Sequence, residues 1–171
     1  GIDVVVNNAG VTIVGAAHEL DEDDWDRELA VNLKSIYLVS KAAWPYLVSR
    51  GGGAILNTAS IAGLWAIPAD AAYCASKGAV HNLTRALALD HATDSIRVNA
   101  VCPGEVHTPM LQSERSEPVT QALLERIAAT VPMGRLAEPI EIARVVAFLA
   151  SDAASYMTGA LGSVDAGYGA R

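Results

Sequence analysis

The sequence predicts an α/β domain built on a parallel sheet. Three observations carry this. Four short apolar runs alternate with longer segments of helical periodicity. The first run, Val4-Val5-Val6, is β-branched throughout, as in strands buried on both faces of a parallel sheet. Three of the runs end in small or turn-forming residues: Asn7-Asn8-Ala9-Gly10, Thr58-Ala59-Ser60 and Pro103-Gly104. With right-handed crossovers these endings share one edge of the sheet, the edge where such folds bind ligands.

Taken in order, the Val4–Val6 strand breaks at Asn and Gly, which tolerate unusual backbone angles and let a ligand approach the main chain. An ordinary turn would use the same residues. Asp21 reads as an N-cap, with acidic residues in the first turn that follows. Trp25, Leu29, Leu33, Ile36, Tyr37, Val39 and Ala43 form an apolar stripe, predicting one helix to about Ser49. Asn32 interrupts that stripe. A buried unpaired amide costs about 1–3 kcal/mol, so Asn32 is either a satisfied core amide or part of a site.

Gly51-Gly52-Gly53 ends this helix, and Ala54–Thr58 is the second strand. The loop through Ile61, Gly63, Leu64, Trp65 and Pro68 is apolar yet rich in Gly and Pro, which suits a pocket wall or a loop packed over the core. A helix from about Ala71 to His91 follows, with Leu83, Leu87 and Leu89 supplying burial. Gly78 costs this helix roughly 1 kcal/mol against alanine, which predicts close approach by a neighbour. Ile96–Val101 is the third strand. The irregular, polar stretch from Glu105 to about Pro118, with Pro109, Ser113 and Ser116, reads as a mobile lid. Helices over 121–129 and 140–149, the latter capped by Glu138-Pro139, lead to a last strand at 160–164.

A chain of 171 residues has room for one domain with a proper core. Its 51% hydrophobic content excludes a disordered protein, and a net charge of −7 without a basic run disfavours nucleic acid and anionic membranes as partners. The longest apolar stretch is broken by Lys34, Lys41 and Pro45, so no membrane span is expected. No signal peptide is visible. Cys74 and Cys102 lack Cys-x-x-Cys spacing and read as small core residues in a reducing, cytoplasmic setting. His18, His81, His91 and His107 are scattered, so no metal site is expected.

The chemistry concentrates between Ser60 and Lys77. On a helix, Tyr73 and Lys77 are i,i+4 neighbours on one face. A phenol titrating near ~10 is a poor acid or base at neutral pH. An ammonium about 4 Å away favours the phenolate by roughly 4 kcal/mol at an effective dielectric of ~20, enough for a shift of about 1–3 units. Tyr73 then becomes a usable general acid/base, with Ser60 beside it to hold a substrate oxygen. Alone, such a pair also fits a packed tyrosine and a solvated lysine.

In order and spacing, Asn7-Asn8-Ala9-Gly10, Asn32, Ser60, Tyr73-x-x-x-Lys77 and Pro103-Gly104-x-x-x-Thr108 resemble the short-chain dehydrogenase/reductase family, from residue 1 to about residue 168. The resemblance implies a Rossmann-like, doubly wound parallel sheet, present as its C-terminal portion of about four strands in a single domain over 1–171. It implies an NAD- or NADP-dependent oxidoreductase interconverting a secondary alcohol and a ketone. Tyr73 would be the proton donor and acceptor, and Lys77 would lower its pKa and hold the nicotinamide ribose. Ser60 would orient the substrate oxygen, and Asn32 would sustain a proton relay near Lys77. Asn8, Ala9 and Gly10 would line the adenosine side of the cofactor; Pro103, Gly104, Val106 and Thr108 would hold the nicotinamide amide. Leu64, Trp65, Glu105 and His107 are candidates to touch substrate. The family also implies a homotetramer, with the two long helices at one interface and the last helix and strand at another.

Members of the family begin with a strand and a glycine-rich turn that opens a helix at the cofactor pyrophosphate. That β-α-β-α-β part has no counterpart in the sequence, which predicts a fragment, or the ordered part, of a chain of roughly 250 residues, with Val4–Val6 left as an uncovered edge. No turnover is expected of these residues alone. The alternative is a truncated, catalytically silent interaction protein. The stretch from Pro103 to Met110 resembles members acting on sugar acids and polyols, and also many 3-oxoacyl reductases; no basic patch for an acyl carrier is evident.

Overall fold

The computed structural model describes residues 1–113 and 118–170. Four parallel strands, β1 (Val4–Asn7), β2 (Gly53–Thr58), β3 (Ile96–Pro103) and β4 (Leu161–Val164), lie side by side in chain order. The register pairs Val5 with Ile55, Ile55 with Val98, and Val101 with Gly162. Helices cover both faces. On one, α2 (Ser35–Ser49) and α3 (Ala71–His91) enclose Leu47, Val5, Ile55, Val98, Val80 and Ala100. On the other, α6 (Pro139–Ala150) packs Leu149 on Ala54 and Leu56. The expected α/β doubly wound arrangement is therefore present.

The polar core is as ordered as the apolar one. Asn7 Nδ2 donates to Asn57 Oδ1 at 2.9 Å and reaches Ser40 Oγ at 3.4 Å. Asn57 Nδ2 donates to Thr84 Oγ1 at 2.9 Å, and Thr84 Oγ1 donates to the Val80 carbonyl at 2.8 Å. The thread runs from α2 through β1 and β2 to α3, all at buried side chains. On the opposite face Asn99 ties β3 to the turn before β4, donating to Met157 O at 2.7 Å and accepting from Ala160 N at 3.0 Å. Arg97 closes the end of α6, donating to the carbonyls of Leu149, Ala150 and Ser151.

Several expectations are corrected. Val4–Val6 is not buried on both faces: Val4 and Val6 are 40% and 48% exposed while Val5 is buried. The reason is position, since β1 is the edge of the described sheet and α2 covers one face of it. The predicted single helix from residue 21 to 49 is α1 (Glu22–Leu29) and α2 joined by a π-helical turn, Ala30–Lys34, centred on Asn32. Asp21 occupies the N-cap position but makes no side-chain cap bond. The extra residue of the π turn rotates the stripe, so that Tyr37 and Val39 beyond it are exposed. Leu83 and Leu87 do pack on the core, whereas Leu89 points to solvent at 81% exposure. Cys102 is buried but Cys74 is only half-buried, with the Ile67 N–H on its sulfur at 3.3 Å.

The close approach expected at Gly78 belongs to another glycine. A Cβ at Gly78 would meet its nearest neighbour, the Gly63 carbonyl oxygen, at an ordinary 3.7 Å. At Gly63, a Cβ would lie 2.6 Å from the Lys77 carbonyl oxygen and 2.7 Å from His81 Cε1. The predicted lid is held at its base: Val106 bridges to Ala137, and the His107 N–H donates to the Ala137 carbonyl at 2.9 Å. It then forms a short helix, α4 (Met110–Ser113), with Leu111 buried. Residues 114–117 of that stretch, Ser116 among them, lie outside the described residues. A further helix, α5 (Gln121–Thr130), has Thr120 as its N-cap, and α6 starts at a capping box made by Glu138 and Glu141.

Candidate active site

The strand ends gather the site. Asn8, Ala9 and Gly10 follow β1, Ser60 follows β2, and Gly104 to Thr108 follow β3, so these three predicted motifs lie at the carboxyl edge of one sheet. After β1 the chain crosses to the start of α3, where the Gly15 N–H donates to the Ala69 carbonyl at 2.8 Å and Thr12 Oγ1 donates to Asp70 Oδ1 at 3.1 Å. This crossing covers Asn32 and places Gly10 beside it.

Lys77 is the centre. Its side chain runs inward from α3 and is 3% exposed. The ammonium Nζ donates to the Thr58 carbonyl at 2.8 Å, at the end of β2, and sits 5.6 Å from the ring centroid of Tyr73. Burial pulls the Lys77 pKa down to about 8, against which Glu28 and Cys102 act to raise it. Thr58 Oγ1 also donates to Asn8 Oδ1 at 3.1 Å, linking the ends of β1 and β2.

Asn32 is fully buried and satisfied. It accepts from the Val11 N–H at 2.8 Å and donates to the Val11 carbonyl at 2.8 Å, to Ser76 Oγ at 3.1 Å and to Glu28 Oε1 at 3.4 Å. Of the two readings of this residue, the core amide is met in full. It also borders the site, because a Cβ placed on Gly10 would lie 3.4 Å from Asn32 Oδ1 and 3.5 Å from Lys77 Nζ. The absence of a side chain at Gly10 keeps the space between them open.

Ser60 caps a 3₁₀ turn, Ile61–Gly63, by accepting from the Ala62 N–H at 3.1 Å. That turn lies on α3 at the Lys77 carbonyl, the contact that requires glycine at position 63. Beneath it, the His81 imidazole packs close to Gly63 and lies 3.3 Å from Cys102 Sγ. Burial holds His81 below its ordinary pKa and pushes the Cys102 thiol up to about 11, so both are neutral at pH 7.

The β3 side closes the edge. The Gly104 N–H donates to the Val164 carbonyl at 3.1 Å, and a Cβ on Gly104 would lie 2.9 Å from Asp165 Cα. Met110 at the start of α4 comes back to Gly10, its Cε 4.0 Å from a Cβ there. Pro103, Val106 and Thr108 are half-buried along this stretch. The substrate candidates have other neighbours. Leu64 and Trp65 are about half exposed, with Trp65 Nε1 against Gly169; His107 Nδ1 is 3.9 Å from Glu138 Oε1, and the Glu105 carbonyl accepts from Ala137 N.

The chain is similar to known proteins over nearly all of its length. Residues 1–169 match the family model described as enoyl-(acyl carrier protein) reductase. Oxidoreductase UcpA of Escherichia coli strain K12 is 41% identical over 97% of the chain, and meso-2,3-butanediol dehydrogenase of Serratia marcescens is 48% identical over 97%. The chain belongs to the short-chain dehydrogenase/reductase family. A third member, 2-(S)-hydroxypropyl-CoM dehydrogenase 3 of Xanthobacter autotrophicus, is 46% identical over 95% of the chain. The chain spans about 65% of the length of these relatives. Among its described residues no helix is long and apolar enough to cross a membrane, and no group of His, Cys, Asp and Glu could hold a metal ion.

Sequence reasoning missed Glu28, Asp70, Ser76 and His81. Glu28 carried a signal: at Trp25, Glu28, Leu29, Asn32 and Leu33 a carboxylate falls on the apolar stripe. His81 lies one turn beyond Lys77, on the same face of α3.

Proposed function

We propose that the protein carrying this chain is an NAD- or NADP-dependent oxidoreductase that interconverts a secondary alcohol and a ketone. The observation that carries the reading is the buried Lys77 ammonium, held between the end of β2 and the Tyr73 ring at the carboxyl edge of the sheet. The residues fit a nicotinamide dinucleotide: an open cradle at Gly10 faces Lys77, and Asn8 and Ala9 are exposed beside it. Bound along this edge, the cofactor supplies or takes up a hydride.

The chain's own groups handle the proton. Tyr73 gives its phenolic proton to the carbonyl oxygen in reduction and takes the hydroxyl proton in oxidation. Lys77, as a cation, favours the phenolate form and donates to the nicotinamide ribose hydroxyls. Ser60 Oγ holds the substrate oxygen facing Tyr73, and the Asn32 amide keeps the Lys77 side of the site in shape. Pro103, Gly104, Val106 and Thr108 hold the nicotinamide amide; Leu64, Trp65, Glu105 and His107 border the substrate. The names of the relatives acting on butanediol and on hydroxypropyl-CoM support a small secondary alcohol as substrate. Exposed Tyr37, Leu38, Val39, Tyr46 and Val48 on α2, with Ile140 and Phe148 on α6, support a homotetramer, and the free thiols of Cys74 and Cys102 support a reducing, cytoplasmic setting.

The test is a titration of the whole protein with NADH and with NADPH followed by nicotinamide fluorescence, then turnover with 2,3-butanediol and related alcohols. Saturable binding of one cofactor and turnover lost in Tyr73→Phe are expected. Full activity in Tyr73→Phe overturns the reading.

A further inference from the structure

The role given to Lys77 requires its positive charge, yet burial opposes that charge and the Thr58 carbonyl that receives it is neutral. A second group is equally out of place. Glu28 is fully buried on α1, one turn before Asn32. Its carboxylate receives the Asn32 amide at 3.4 Å on Oε1, and the nearby Ile13 backbone favours its ionised form. Oε2 has no hydrogen-bond partner among the described residues. A carboxylate in such a place is costly unless a charge compensates it.

Asn32 is the bridge between the two. Its Nδ2 touches Glu28, while its Oδ1 faces the same point above Gly10 that Lys77 Nζ faces, at 3.4 and 3.5 Å. The other titratable groups nearby are Asp70 at the start of α3, Cys102 on β3, and His81 and Arg85 further along α3. Cys102 and His81 are neutral at pH 7, and Arg85 is a cation acting on both. Asp70 acts on Glu28 as a like charge.

We propose that Glu28 is a positioning residue for Lys77: its carboxylate, acting across Asn32 without direct contact, holds the positive charge on the buried ammonium. This rests on the reading of Lys77 as the cation that tunes Tyr73. Burial, with help from Asp70, pushes Glu28 up to about 7, and burial pulls Lys77 down to about 8. Each attracts the charged form of the other. Between pH 7 and 8 both are largely ionised; below that window Glu28 takes up a proton, and above it Lys77 loses one.

The side-chain signals of a [¹³C]lysine-labelled sample, those of Lys34, Lys41 and Lys77 among them, are followed one by one. The one lost in Lys77→Met belongs to Lys77. Its titration midpoint in the full chain is expected to fall by about one pH unit in Glu28→Gln, which keeps size and hydrogen-bonding oxygen but removes the charge. An unchanged or higher midpoint in a folded Glu28→Gln sample overturns the proposal. Should that variant not fold, the reciprocal measurement decides: the Glu28 carboxyl midpoint in [¹³C]glutamate-labelled protein rises in Lys77→Met if the two are coupled, and an unmoved midpoint refutes it. These midpoints need no turnover, so failure here leaves the oxidoreductase reading intact, and absent turnover leaves this inference standing.

Discussion

Asn32 and Val11 exchange two hydrogen bonds of 2.8 Å, side-chain amide to backbone, as a strand neighbour would. The pair pins the segment after β1 to the π turn between α1 and α2, and with it the Gly10 cradle beside Lys77. Asn32→Ala removes both bonds and leaves the part-buried Val11 backbone groups without these partners. A loss of about 2–4 kcal/mol in urea unfolding is expected, against under about 1 kcal/mol for an exposed control such as Ser49→Ala.

Gly63 and Gly78 respond oppositely to the same change. Gly63→Ala drives a Cβ into the Lys77 carbonyl and His81, lifting the Ser60 turn off α3. It should cost about 1–3 kcal/mol of stability, and kcat should fall more than KM rises. Gly78→Ala has room and should stabilise by up to about 1 kcal/mol in thermal unfolding. Equal effects at the two positions would contradict the packing described.

Glu28 and Lys77 impose pH dependence of opposite sign on stability. Glu28 rises from 4.5 to about 7 on folding, so the folded state binds the extra proton between those values and stability falls as pH rises through that window. Lys77 falls from 10.5 to about 8, so the unfolded state binds the extra proton there and stability recovers between pH 8 and 10.5. The Glu28 contribution is on the order of 2–3 kcal/mol. Denaturant midpoints measured from pH 4 to 8 should lose most of their slope in Glu28→Gln.

Arg97 closes the C-terminus of α6 with bonds to three carbonyls, the shortest 2.7 Å. Arg97→Ala should cost about 1–2 kcal/mol and loosen the end of α6. Faster amide exchange there than in α3 would report it.

The sheet, its strand order and the gathering of motifs at one edge were legible because continuous apolar runs and their terminal Asn, Ser and Gly residues depend on local chemistry. That Tyr73 and Lys77 share one face of α3 follows from helical spacing. Other features are set by partners distant in the chain. The π turn at Asn32 arises from a bond to Val11, and the exposure of Tyr37 and Val39 follows from it. Position at the sheet edge, which a run of valines does not encode, decides that Val4 and Val6 face solvent. That Gly63 is the tight glycine and Gly78 the loose one depends on how a turn lies across a helix. The Glu28 carboxylate was visible as an anomaly in the stripe, but its relation to Lys77 needs the fold.

The buried amide thread from Ser40 through Asn7, Asn57 and Thr84 gives the sheet a means of proofreading. Alternating burial already penalises a one-residue slip of β1, but Val4, Val5 and Val6 are interchangeable as apolar groups. Asn7 is not. In a slipped pairing its amide would turn to the open face of β1 and leave the buried Asn57 Oδ1 without its donor, a penalty no nearby valine could offset. Three identical side chains make β1 adhesive, and a single amide at its end makes it count.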